Sequence, residues 1–182
     1  AVVRFRIARC REEAGAEEAA RRTYEELVRK EPDSPAAAEA EARLRALDPE
    51  FSIPPAWRLE RARILVRRRD WGEAIAELDL IPAGTRNPSS EEIAWERANA
   101  IYKHRRRYEE AARAFAAVVE MGGRHAVEAE FLRARSLARA NLDDEAIVAY
   151  REFAREHARD AHASDAKYLP ATLEMYHGRY DA

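Results

Sequence analysis

The groups with which this chain could do chemistry are 5 histidines, 1 cysteine and 34 carboxylates among 182 residues. The spacing closest to a metal site is His157, Asp160 and His162, with His157 and Asp160 one helical turn apart. Zinc needs three protein ligands with an open position or four without one, and nothing in the sequence completes the set. These residues therefore read as solvated side chains near a helix end, and no metal is expected. Cys10 stands between Ile7 and Ala14 with no His or Asn placed to activate it, so it reads as a small buried or half-buried side chain. A single cysteine excludes an internal disulfide and a cysteine-based zinc site. The sequence contains no Gly-rich phosphate loop, no His-Glu-x-x-His and no Gly-x-Ser-x-Gly. No catalytic residue can be named in this segment, and no cofactor is expected.

Cations offer a different chemistry. Two basic runs occur, Arg67-Arg68-Arg69 and Lys103-His104-Arg105-Arg106-Arg107, immediately before Trp71 and Tyr108. Cations are favoured in the last turn of a helix, where each contributes about 0.3–1 kcal/mol against the helix dipole. The runs read first as helix-end complements. The net charge of -2 argues against a nucleic-acid binder, and no apolar run approaches the ~20 residues of a membrane helix.

The elements that carry these residues are helices. Alanine supplies 39 of the 182 residues while Val, Ile and Thr are scarce, which favours an all-α chain. A short phrase recurs within it: Gly15-Ala16-Glu17-Glu18-Ala19-Ala20, Asp70-Trp71-Gly72-Glu73-Ala74-Ile75, Arg107-Tyr108-Glu109-Glu110-Ala111-Ala112, Leu142-Asp143-Asp144-Glu145-Ala146-Ile147 and Gly178-Arg179-Tyr180-Asp181-Ala182. The anchoring alanines are Ala20, Ala74, Ala111 and Ala146, the last three separated by 37 and 35 residues. Four residues beyond each stands a large side chain, Tyr24, Leu78, Phe115 or Tyr150, on the same helix face. An alanine lets two helices approach closely, and the large residue one turn later fills the space beside it.

This pattern resembles the tetratricopeptide repeat. The family's small residue in the first helix is met by Ala8, Ala62, Asn99 and Ala134, its aromatic before the acidic pair by Trp71, Tyr108 and Tyr180, and its closing proline by Pro32 and approximately Pro82. Arg11 and Asp143 depart from the aromatics usual at their positions. The resemblance implies stacked antiparallel hairpins, about ten helices forming a right-handed superhelix with a concave inner face. First-helix positions would face that surface. Laid over one another, the copies place Arg9, Arg63, Arg67, His104, Arg135 and Arg139 there, an arginine-bearing track suited to an acidic peptide, a carboxylate or an anionic polymer. The same arginines could instead pair with neighbouring Glu side chains. The Asn and Lys set of the carboxylate-clamp variety is missing, so binding of chaperone C-terminal tails is not expected.

Pro32-Asp33-Ser34-Pro35 predicts a helix starting at Pro35 with Ser34 as its N-cap, ending near Leu47. The Pro-rich run 48–55 reads as a hinge, giving residues 1–50 as a hairpin plus an extra helix and 51–182 as a more regular array. The phrase at 178–182 should open another helix, so the chain is expected to continue. The stretches 24–36, 133–140, 164–169 and 178–181 also resemble the α-superhelical N-terminal region of bacterial soluble lytic murein transglycosylases. That resemblance implies a peptidoglycan strand as ligand, a periplasmic or cell-envelope address and a catalytic domain elsewhere. The family's catalytic Glu-Ser pair is not found in this chain. The alternative is a stand-alone adaptor, cytoplasmic or periplasmic, that docks a peptide or protein partner.

Overall fold

The computed structural model describes residues 1–104 and 106–176. Arg105 of the second basic run and the phrase at 178–182 lie outside the described residues. The described residues contain ten α-helices and no strand: α1 (Val2–Glu13), α2 (Glu17–Lys30), α3 (Pro35–Leu47), α4 (Pro55–Arg68), α5 (Trp71–Asp79), α6 (Ser90–Lys103), α7 (Tyr108–Met121), α8 (Ala126–Arg139), α9 (Asp143–Glu156) and α10 (Ala163–Tyr176). They fall into two compact units divided between Pro88 and Ser89.

Local chemistry sets the helix ends. Ser34 accepts a hydrogen bond from Ala37 N–H at 3.1 Å and is followed by Pro35 at the first helical position. Ser89 does the same for Glu92 N–H at 3.2 Å. The helix α4 stops at Arg69, which is left-handed at φ 68° while Asp70 N–H reaches back to the Leu65 carbonyl. Asn141 closes α8 in the same way at φ 61°, with Leu142 N–H donating to the Leu137 carbonyl. Both residues therefore sit at turns that could not be helical without loss of that closing bond.

In the first unit α1 and α2 form a hairpin, α3 packs on both, and α4 packs on α2 and pairs with α5. Ala8 and Ala20 are fully buried at the closest approach, with Tyr24, Leu27 and Val28 filling the space around them. The segment 48–54, read as a hinge, lies inside this unit. Ile53 is buried in its core, with Phe51 and Trp57 packed against it. Prolines there end one helix and prepare the next without freeing the chain. Cys10 is exposed, which corrects the expectation of burial: α1 turns Phe5 and Ala8 inward and leaves Val3, Ile7 and Cys10 outside.

In the second unit α6 to α10 pack each on the next. Ala111, Ala134 and Ala146 are fully buried, as are Phe115, Phe131, Tyr150 and Phe153 to within 1%. The pairing of alanine with a large residue one turn later is therefore the packing unit of both halves. Asn99 is a correction. It is half-buried and donates to the Trp95 carbonyl at 3.0 Å, while Ala98 and Ala100 on either side of it are fully buried.

Candidate functional site

Most arginines of the first unit are committed to holding it together. Arg61 is only 7% exposed; it donates to the Val28 carbonyl at 2.7 Å and to Glu77 at 2.9 and 2.5 Å. Arg58 reaches the other Glu77 oxygen at 3.0 Å. One carboxylate on α5 thus receives two guanidiniums from α4, and one of them also ties α4 to the end of α2. Glu12 plays a similar part between α1, α2 and α3, accepting from Tyr24 Oη at 2.8 Å and from Arg43. The Arg43 guanidinium holds the Glu12 carboxyl below its ordinary value, and burial pushes the Tyr24 phenol up to about 12.

The expected arginine track divides on this background. Arg9 pairs with Glu13 at 3.0 Å, one turn along the same helix. Arg63 is half-buried and held by neighbouring groups, whereas Arg67 is exposed at the end of α4. His104 closes α6 and its Nδ1 lies 3.5 Å from Arg107. Arg135 and Arg139 stand one turn apart on α8, both exposed, and neither forms an ion pair among the described residues. The Arg139 guanidinium lies over two rings, 4.9 Å from the centre of Tyr102 and 5.6 Å from that of Tyr108. Arg135 and Arg139 both act electrostatically on Tyr102 and Tyr150. Burial nevertheless pushes both phenols up, Tyr150 to about 12. The hydroxyl of Tyr102 is buried without a hydrogen-bond partner among the described residues.

The described histidines of the second unit are engaged in packing and pairing. His162 stacks on Phe131 at 4.2 Å and His125 on Trp95 at 4.3 Å. Asp160 accepts from the His162 backbone N–H at 2.8 Å, and His157 turns to Glu130 at 2.7 Å. The spacing 157, 160 and 162 is therefore not gathered into one ligand set. Another trio, Glu130, Glu156 and His157, brings its donor atoms within 4.8 Å, with Glu156 also paired to Arg155 at 2.8 Å. It forms part of a surface ion-pair network.

Sequence reasoning missed the clamp of Arg61 on Glu77, because a buried arginine and a solvated one look alike in an Arg-rich helix. The spacing of Arg58 and Arg61, three residues apart on a helix otherwise apolar at Leu59, Ala62 and Leu65, was the available signal.

A tetratricopeptide repeat family model matches residues 3–34. That span covers α1, α2 and the turn after them, the first helical hairpin. No curated protein matches the chain at a significant level. Together with the antiparallel hairpin packing of the helices in each unit, the match defines a tetratricopeptide-like helical repeat domain. Among the described residues no helix is long and apolar enough to cross a membrane.

Proposed function

We propose that this chain is a non-catalytic repeat scaffold that holds a segment of a partner protein against the face of α8 bearing Arg135 and Arg139. The observation that carries this reading is a pair of exposed arginines one turn apart on α8 beside aromatic rings, set against the carboxylate-paired arginines of the first unit. Arg9, Arg58 and Arg61 are neutralised by carboxylates, while Arg135 and Arg139 are displayed without one among the described residues, Arg139 over the rings of Tyr102 and Tyr108. Uncompensated guanidiniums beside aromatic surface favour a ligand that is acidic and partly apolar. An acidic peptide fits that description. The test is binding of acidic peptides selected from a display library, compared between the native chain and an Arg135→Glu, Arg139→Glu double variant. At least a tenfold loss with unchanged helicity is expected; equal binding overturns the proposal.

The finer reading gives the scaffold a parent and an address. By its resemblance to the superhelical region of soluble lytic murein transglycosylases, the chain is a segment of a peptidoglycan-cleaving enzyme in the periplasm or cell envelope. The ligand is then a peptidoglycan strand, whose stem-peptide carboxylates meet the two arginines. Supporting it are the sequence phrases at 24–36 and 133–140 and the anionic preference of α8. The alternative remains a stand-alone adaptor with a protein partner, in the cytoplasm or the periplasm. Retention on purified peptidoglycan at low salt, lost on charge reversal at Arg135 and Arg139, supports the enzyme segment; no retention at low salt rejects it.

A further inference from the structure

The second basic run has a structural destination that helix-end electrostatics does not explain. Beside the start of α7, a solvent-open groove of about 470 Å³ is lined by Arg106, Arg107, Glu109, Glu110, Arg113, Arg139 and Asn141 among others. Among the described residues four arginines and two glutamates line it, an excess of two positive charges. The pairing is uneven. Arg107 is bound at both nitrogens by Glu110, at 2.7 and 2.6 Å, and Arg113 lies 3.8 Å from Glu109. Arg106 and Arg139 have no carboxylate among the described residues. Arg139 lies over Tyr102 and Tyr108, 4.9 and 5.6 Å from their ring centres, contacts that use none of the N–H donors of its guanidinium. Asn141 brings an amide to the same groove from a backbone position fixed by the closing bond of α8. Little side-chain freedom remains to be lost on binding at Arg139.

We infer that this turn-edge groove binds a phosphomonoester dianion, held by Arg106 and Arg139 with Asn141 donating from the side. A carboxylate neutralises one of the two uncompensated guanidiniums, whereas a phosphomonoester, at about −1.5 to −2 charge at neutral pH and with three acceptor oxygens, matches both. The groove is larger than the anion itself and accommodates the side chain that carries it. This site stands apart from the α8 face proposed above except for Arg139, which both use.

The experiment is a titration of the intact chain followed by amide and arginine side-chain NMR shifts. Its probes are inorganic phosphate, a phosphoserine-containing peptide, the same peptide unmodified, and acetate. Saturable shifts at Arg106, Tyr108, Arg139 and Asn141 are expected with the first two, weakening as pH falls below about 6, where the phosphomonoester loses its second charge. Tighter binding of the phosphopeptide than of phosphate, by tenfold or more, identifies a modified side chain as the source; equal binding identifies the free anion. Arg106→Gln should reduce binding at least tenfold while leaving acidic-peptide binding to the α8 face intact, and Arg135→Gln should do the reverse. Acetate binding as tightly as phosphate, no saturable shift, or indifference to Arg106→Gln with the fold retained would each overturn the inference.

Discussion

Replacing Arg61 by Met tests whether the first unit is clamped as described. The substitution keeps most of the aliphatic bulk of a side chain that is 7% exposed, and removes one hydrogen bond to the Val28 carbonyl and two to Glu77. A neutral bond contributes about 1 kcal/mol and bonds to a charged group about 1.5–3 kcal/mol. Glu77 retains Arg58 at 3.0 Å, so its charge is not abandoned and the loss stays below the 3–5 kcal/mol of a fully broken buried pair. The expected cost is about 3 kcal/mol. With a urea dependence of about 1.5 kcal/mol per molar, the unfolding midpoint of the first unit falls by about 2 M. Circular dichroism with urea measures it, and a double-mutant cycle with Glu77→Gln should return a coupling above 1 kcal/mol. A cost under 0.5 kcal/mol, or additive single effects, would refute the clamp.

Other consequences follow from the same interior. Tyr24 and Tyr150, raised to about 12 from 10.0, should titrate later than exposed tyrosines when phenolate absorbance is followed. Because the folded state holds these protons more tightly, their contribution is fully present below pH 10 and is lost as pH rises towards 12. Glu12 has the opposite sign: its carboxyl lies below 4.5 in the folded state, so its contribution exists above that pH and disappears as pH falls through the lowered value. Glu12→Gln should flatten the acid limb of a stability profile. Ala146→Leu, placed where the exposure is 0%, should destabilise the second unit by about 1–3 kcal/mol through overpacking, visible as a lowered melting temperature.

The helical hairpins were legible because their signal is periodic. Ala20, Ala111 and Ala146, with Tyr24, Phe115 and Tyr150 one turn later, stand out from single-sequence spacing and are the positions fully or almost fully buried. The packing around Asn99 was not legible, since that half-buried amide stands between Ala98 and Ala100, and both of those alanines are fully buried. Prolines at 49, 54 and 55 announced a break in the helix but not that Ile53 would be drawn into the core. The arginines were the least legible. Whether Arg61 is buried against a carboxylate or Arg135 is displayed depends on which helix lies opposite, and that information resides in tertiary packing. The groove beside Tyr108 was hidden for the same reason: Arg139 and Asn141 come from the end of the next hairpin, more than thirty residues downstream.

The outward placement of Cys10 has a practical reach. As the sole thiol of the sequence, sitting on the exposed side of α1, it accepts a maleimide fluorophore without disturbing Ala8 or Phe5 beneath. Such a label reports on the first unit alone, while in a Trp57→Phe, Trp71→Phe background the indole of Trp95, packed on Phe115, reports on the second. Two colours in one sample would then show whether the halves of this chain melt as one cooperative body or in succession, the property that separates a nearest-neighbour array from a single globule.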